Sequence, residues 1–434
     1  MPSSAPLYSI PIKDRPPHGS LLTGLLFALT FNTCIILTNL TQFILFPLSL
    51  HPATAPLYYR ITKSSFGCAT VLISQWFAPT SFVVTAGEGV EDSGTEWLER
   101  DSKGKVTGLK LAKRGIWISN HQTLADWLYL WSFAYFASHH GSILITLKSS
   151  LRKIPVIGWA TRLYGFIFLA RNWTADKVPF ANQLKKVVRN LKRGGDDEKL
   201  ALLVFPEGTL VTGNTRPKSL AFAEKSGVAD LKHTLLPRST GLFFALRNLA
   251  PSVPDLTLID LTVAYPGTFN PPTSYPEDHY SLSIWFKQVP PPSIHVHVRQ
   301  FSVAKDVPLG VLDGSDGTPE EKRVFEEWLR KRWEEKDQMM LQFAKEGSFA
   351  GGEKKGETAV LPVQLRCWWE YLECFSFFLP VIALVAAWYL LPALWAYGTA
   401  AGAEATVRPC CAAKASAAAA KLAAEKVASG KLEL

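Results

Sequence analysis

The chain has 434 residues, with 46 Lys and Arg against 37 Asp and Glu, a formal net charge of +9 and six cysteines. That length allows two or three domains, and the basic balance suits an anionic partner such as a membrane surface, phosphate head groups or CoA. Nucleic acid is set aside, because the sequence holds neither zinc-finger spacing nor a basic recognition helix. Cys34, Cys68, Cys367, Cys374, Cys410 and Cys411 form no CxxC pattern, so neither a disulfide framework nor a metal site is expected.

Residues 1–20 are polar, rich in Pro and Ser, and read as a disordered N-terminus. Leu21 to Leu50 holds no Asp, Glu, Lys or Arg and is long enough to span a bilayer, with Pro47 expected at its end. The run is too long for the core of a signal peptide. A weaker hydrophobic stretch, Ser64 to Ala86, follows Arg60 and Lys63. Residues 21–86 are therefore expected to form a membrane-embedded helical hairpin, whose second arm spans or lies in the interface.

Gly87 to Gly108 reads as a loop or hairpin insert. Beyond it, short apolar runs alternate with amphipathic ones. Gly115 to Ser119, Ser142 to Leu147, Gly165 to Ala170, Leu200 to Phe205 and Leu256 to Tyr265 read as strands. Trp127 to His139, Pro155 to Tyr164, Asp176 to Arg193 and Lys218 to Gly227 read as helices. The alternation predicts an α/β fold, a mostly parallel sheet flanked by helices. A polar, chemistry-bearing residue follows each of the first four strands: His121, Lys148, Arg171 and Glu207. In an open α/β sheet the ligand crevice lies outside the carboxyl ends of the strands, so these four groups are expected at one edge.

Asn270 to Pro292 is a loop rich in Pro and Tyr, and Ile294 to Phe301 is a strand with His295 and His297 packed on one face. Thr318-Pro319-Glu320-Glu321 opens a helix that runs to about Glu346 and stops at Gly347. Residues 348–374 read as a linker. Residues 375–397 read as a transmembrane helix kinked at Pro380 and Pro392. The Ala- and Lys-rich tail, 398–434, ends Lys431-Leu432-Glu433-Leu434, which resembles an ER-retention tetrapeptide with Leu where Asp is usual.

The most informative stretch is RGIWISNHQTLADWLYLW, Arg114 to Trp131. His121 and Asp126 fall on different faces of an ideal helix. They can pair only if His121 lies in the turn after a strand and Asp126 in the first turn of the next helix. Two readings follow. One is an imidazole held by a carboxylate, fixed in one tautomer and ready to take a proton. The other is a helix-capping turn with an incidental His.

NHQTLAD resembles the His-x-x-x-x-Asp signature of the glycerolipid acyltransferase superfamily. Four further blocks follow in the family's order: LKSSLRKIPVIGW (Leu147 to Trp159), GFIFLAR (Gly165 to Arg171), FPEGT (Phe205 to Thr209) and LLPRSTGL (Leu235 to Leu242) around Pro237. DLTVAYPG (Asp260 to Gly267), IHVHVRQF and FEEWLRKRWEEKD resemble the eukaryotic branch of lysocardiolipin and lysophosphatidylinositol acyltransferases. The resemblance spans Arg114 to Lys345, with a catalytic domain over 87–270 and a C-terminal extension over 271–347.

The resemblance implies a membrane-bound enzyme that moves an acyl chain from acyl-CoA to the free hydroxyl of a lysophospholipid. The acceptor would be lysophosphatidylinositol, lysocardiolipin or lysophosphatidate. His121 would be the base and Asp126 its partner. Asn120, Lys148, Gly165, Arg171, Glu207, Gly208 and Thr209 would bind substrate, with Lys148 and Arg171 on the acceptor phosphate and Glu207 accepting from a glycerol hydroxyl. Phe205, Pro206 and Pro237 would be structural. No cofactor or metal is implied: acyl-CoA is a co-substrate and the bilayer a partner. The endoplasmic reticulum is the expected location and a mitochondrial membrane the alternative. Two other functions remain open, a CoA-independent transacylase and a non-enzymatic membrane lipid-binding protein. Dependence on a CoA thioester separates the first, and activity unchanged in His121→Ala would indicate the second.

Overall fold

The apolar runs read as strands enter one sheet. The computed structural model describes residues 5–90, 97–267, 269, 271–349 and 358–428. In chain order the elements are helices α1 (Leu21–Leu50) and α2 (Ala55–Phe77), strands β1 (Ser81–Ala86), β2 (Leu98–Arg100), β3 (Val106–Leu109) and β4 (Arg114–Ser119), then α3 (Asp126–Phe136), β5 (Ile143–Lys148), α4 (Ile157–Leu163), β6 (Ile167–Leu169), α5 (Trp173–Gly194) and β7 (Leu200–Val204). They continue with α6 (Arg216–Ser226), α7 (Ser239–Leu249), β8 (Thr257–Ala264), α8 (Pro276–His279), α9 (Ser283–Lys287), β9 (Ile294–Ser302), α10 (Pro319–Glu346), β10 (Thr358–Pro362), α11 (Trp368–Phe375) and α12 (Leu379–Ala428). One unit runs up to Phe378 and a second begins at Leu379.

The eight-stranded sheet has the order β10-β1-β9-β8-β4-β7-β5-β6, and β2 and β3 form a separate hairpin. β8, β4, β7, β5 and β6 are mutually parallel. β9 is antiparallel to β8 and parallel to β1, and β10 closes that side antiparallel to β1. Parallel strands are covered on both faces, which is why β4 and β7 read as unbroken apolar runs rather than alternating ones. Ile116, Trp117, Ile118, Ala201, Leu202 and Leu203 are all buried. α3 is apolar all round because it lies inside the protein. Its Phe133 packs edge-on against Phe82 and Trp117.

Four sequence expectations change. The 21–86 hairpin ends earlier than expected: α1 and α2 pack on each other across a short turn, but Ser81–Ala86 is β1, within the sheet, and much of α2 is buried in protein. Phe66, Cys68, Val71, Leu72 and Ile73 are buried in protein. The polar groups of α2 find protein partners, such as Thr70 with Ser132 at 3.2 Å and Gln75 with Tyr371 at 3.0 Å. Lipid offers no such partners, so the polar face of α2 turns to the protein, while Leu57, Ile61 and Trp76 remain exposed. α1 differs. Leu21, Leu22, Leu25, Leu29 and Leu50 remain exposed, and the helix is long and apolar enough to cross a membrane. Pro47 lies inside its last turn rather than at its end.

The linker over 348–374 is the second correction. Its residues 358–362 form β10, and Trp368–Phe375 form α11, which packs on α2. Third, a boundary at 270 would cut the sheet, since β9 pairs with β8 along its length; the loop that follows also contains the short helices α8 and α9. Fourth, the N-terminal segment is anchored over residues 5–20: Arg15 donates to the carbonyls of Ile10 (2.9 Å) and His279 (2.7 Å). In the second unit, Leu379–Ala396 is a further stretch long and apolar enough to span, and the helix continues through the Ala-rich tail to Ala428. The terminal tetrapeptide lies outside the described residues.

Candidate active site

β4 ends at Ser119 and α3 begins at Asp126, so the intervening polar residues form a turn at the carboxyl end of the central strand. The turn brings His121 Nδ1 to 2.9 Å from Asp126 Oδ2. The Asp126 carboxylate is fully buried and heavily solvated by protein donors. Oδ2 also accepts from the backbone N–H groups of Gln122 (2.7 Å) and Thr123 (3.1 Å), and Oδ1 accepts from Thr123 Oγ1 (3.0 Å) and Tyr265 Oη (2.6 Å). It also occupies the first turn of α3, where the helix dipole favours an anion. A carboxylate can only accept, so His121 Nδ1 carries the proton and the lone pair of the neutral ring lies on Nε2. No described residue bonds Nε2, and the side chain is partly open to solvent. The imidazole stacks on Phe205, with ring centroids 4.1 Å apart. One edge of the ring is thus held, one face is supported, and the basic nitrogen is available.

The neighbouring strand ends add charge. Lys148 closes β5, and Arg171 follows β6 by two residues; both are exposed. Arg171 sits in the left-handed backbone region at φ 64°, a strained conformation for a residue with a side chain, and such strain concentrates at functional sites. Partial desolvation of the guanidinium, then the nearby Arg238 charge, lowers the Arg171 pKa. Arg238 in turn lies over Gly208, which has φ 72°; a Cβ built there would stand 3.6 Å from the Arg238 side chain. The Arg238 N–H donates to the Pro206 carbonyl at 2.8 Å, which joins the FPEGT turn to the loop around the buried Pro237. Thr209 is half-buried on the same turn. Two guanidiniums and an ammonium therefore border the edge that carries His121, an arrangement suited to a phosphate.

Three of the expected substrate contacts are placed elsewhere. Asn120 is buried, and both ends of its amide are bonded to the backbone of Val263 (2.8 and 2.9 Å), which ties β4 to β8. Gly165 lies before β6, at its amino end, and faces Tyr59 rather than the carboxyl edge. Glu207 turns inward. It is buried, Oε1 accepts from Trp333 Nε1 at 3.2 Å, and Oε2 is buried without a well-aligned partner. Burial pushes its pKa up to about 8, despite the Trp333 side chain and the Leu235 and His121 N–H groups that favour the ionised form. A carboxyl so placed supports the backbone of the His121 turn, and it does not present itself to a glycerol hydroxyl.

Trp333 belongs to α10, which braces the site from behind. Asp337 accepts from the backbone N–H groups of Lys232 (3.0 Å), His233 (2.6 Å) and Thr234 (2.9 Å), and so fixes the loop that leads to Arg238. Lys336 is wholly buried; it donates to the Leu261 carbonyl at 2.6 Å and pairs with Asp260, which also pairs with Arg299 at 2.6 Å. Burial opposes ionisation of Asp260, but the two cations outweigh it and hold the carboxyl below its usual range. Glu277 accepts from the Leu124 N–H at 2.7 Å, and burial raises its pKa to about 7. The described residues of the site hold no metal-ligating cluster.

Sequence reasoning missed Tyr265, Arg238, Trp333 and Glu277. Tyr265 had a usable signal, since it lies at the carboxyl end of a parallel strand as His121 and Lys148 do. Trp333 had none, because it arrives from a helix remote in sequence.

The Acyltransferase family matches residues 88–264, and the family described as Acyltransferase C-terminus matches 315–369. An uncharacterized acyltransferase of Schizosaccharomyces pombe is 34% identical over 324 residues, covering 74% of this chain and 83% of that protein. The 2-acyl-1-lysophosphatidylinositol acyltransferase of Saccharomyces cerevisiae is 31% identical, covering 73% of this chain and 86% of the relative. Lysocardiolipin acyltransferase 1 of Gallus gallus is 32% identical, covering 64% and 68%. With a buried Asp126 behind an open His121 on a parallel sheet edge, and relatives that match across most of their length, the chain belongs to the glycerolipid acyltransferase superfamily.

Proposed function

We propose that this protein transfers an acyl chain from acyl-CoA to the free hydroxyl of a lysophospholipid, with His121 as general base. The observation that carries the reading is the His121–Asp126 pair, its Nε2 unbonded beside the cationic edge. The acceptor hydroxyl gives its proton to Nε2 while its oxygen attacks the thioester carbonyl. Asp126 stabilises the imidazolium that forms. The tetrahedral intermediate collapses, the C–S bond breaks, and the CoA thiolate leaves with the proton returned from His121, so that an ester replaces a thioester. Lys148, Arg171 and Arg238 grip the acceptor phosphate, Arg as a fork and Lys as a point charge. Gly208 and Thr209 shape the floor beneath it. The chemistry draws on no cofactor.

The names of the relatives favour lysophosphatidylinositol or lysocardiolipin as acceptor, with lysophosphatidate as a third choice. The bilayer supplies the acceptor, and α1, with its exposed leucines, holds the protein there. The endoplasmic reticulum is the proposed membrane. The test is acyl transfer by purified membranes from labelled oleoyl-CoA to a panel of lysophospholipids, with and without the thioester. Transfer that requires the thioester supports the reading. Transfer that persists with a phospholipid donor and no CoA would replace it with a transacylase.

A further inference from the structure

Three segments bring metal-ligating side chains together at a place the acyl-transfer chemistry does not use. Cys68 projects from α2, His140 from the turn after α3, and Glu373 and Cys374 from α11. One donor atom each of Cys68, His140 and Glu373 lies within 4.8 Å of the other two. Cys68 and Cys374 are both buried where α2 and α11 pack together. α3 starts at Asp126, and His140 lies beyond its far end; the 11 residues of that helix span about 16 Å. The cluster is therefore separate from the catalytic turn.

The cluster is held from several directions. A Cβ added at Gly67 would stand 2.8 Å from His140 Cβ, so the imidazole is seated directly on the α2 backbone, one residue from Cys68. Ser64 Oγ lies 2.9 Å from His140 Nε2 and donates to Glu373. His140 Nε2 and Glu373 Oε1 are 4.0 Å apart. His140 Nδ1 is buried without a partner, so the ring's polar side-chain contacts are confined to this cluster. The Cys68 thiol and the His140 imidazole are enclosed while the Glu373 side chain keeps 38% of its exposure, and an enclosed imidazole with an unpartnered nitrogen is ordinarily paired or coordinated.

We propose that Cys68, His140 and Glu373 bind a zinc ion, with a solvent molecule completing the tetrahedron. Bonds of about 2.0–2.3 Å to a tetrahedral centre place neighbouring donor atoms roughly 3.3–3.8 Å apart, so the observed spacing closes with small side-chain rotations. The mixed sulfur, nitrogen and oxygen set suits zinc over magnesium or calcium, which take oxygen ligands. Binding releases the Cys68 thiol proton, and Ser64 keeps a hydrogen bond to the carboxylate from outside the coordination shell. The ion clamps α11 to α2 and to the end of α3. It is a structural site with no part in acyl transfer. The three ligands lie far apart in the chain, and only the fold brings them together.

The experiment is metal analysis of the full chain, purified in detergent without chelator or metal-affinity tag, joined to cobalt reconstitution of the stripped protein. The expected result is about one zinc per chain and, with cobalt, the near-ultraviolet thiolate charge-transfer band of a tetrahedral site. Cys68→Ser and His140→Ala lose the metal, whereas Cys367→Ser, just before α11 and outside the cluster, keeps it. A chelator lowers the melting midpoint of the wild type and leaves that of Cys68→Ser unmoved. Wild-type protein that carries no zinc and gives no cobalt–thiolate band overturns the proposal, whether or not the variants fold. A Cys68–Cys374 disulfide found by mass spectrometry under non-reducing conditions also overturns it.

Discussion

The two halves of the sheet handle charge in opposite ways. On the β4-β7-β5-β6 side, polar groups emerge at the carboxyl ends and stay accessible: His121 with its open Nε2, Lys148 and Arg171, with Arg238 beside them. On the β8–β9 side, backed by α10, charges are buried and paired: Asp260 with Lys336 and Arg299, and Asp337 with three backbone N–H groups. Unpaired charge can act on a ligand, and paired charge fixes the frame that aims it. Substitutions on the first side should therefore change rate or substrate affinity with little loss of stability. Substitutions on the second should first lower stability.

The largest expected effect is Asp126→Asn. It leaves His121 without its anion, and turnover should fall by about 10²–10⁴-fold, the usual worth of general-base catalysis; single-turnover rates at saturating substrate check it. Next is Lys336→Met. Removing one of the two cations leaves Asp260 with Arg299 alone and should cost up to about 3 kcal/mol of stability, read from denaturant unfolding. Lys336→Met/Asp260→Asn should recover much of that loss.

Glu207 tests the boundary between the halves. Its pKa is raised on folding, so between the ordinary carboxylate value and about 8 the folded state holds more protons than the unfolded one. Wild-type stability should accordingly fall as pH rises through that window, by as much as about 4 kcal/mol. Glu207→Gln should flatten the slope. A slope unchanged in the variant would mean that Glu207 is not the titrating group. Smaller still is Arg238→Ala, expected to raise KM for a phosphate-bearing acceptor by roughly tenfold, about the worth of one charge-assisted hydrogen bond, at near-constant kcat. Trp333→Phe removes a single neutral donor and should cost about 1 kcal/mol of stability.

The same division sets what could be read from the sequence. The parallel half was legible because each buried strand is a continuous apolar run followed at once by a functional residue. The mixed half was obscured for three physical reasons. β1 reads as the end of a hydrophobic run that begins in α2, and composition does not distinguish a core helix from a membrane arm. β10 lies in a stretch whose pairing with β1 depends on a partner far away in sequence. The roles of Asn120 and Glu207 depend on side-chain direction: the family blocks name the residues, but only the fold shows Asn120 bonded to Val263 and Glu207 turned toward Trp333. Gly165 fell on the wrong edge because β6 is only three residues long, and the block that contains it spans both ends of the strand.

The central claim is that the His121 imidazole performs the proton transfer while taking little part in holding the fold together. The most direct measurement compares wild type and His121→Ala, purified side by side, for single-turnover acyl transfer from oleoyl-CoA to a lysophospholipid and for the denaturant midpoint. The account predicts a rate lower by at least about 10²-fold with the midpoint nearly unchanged. A rate within twofold of wild type in the folded variant would contradict it.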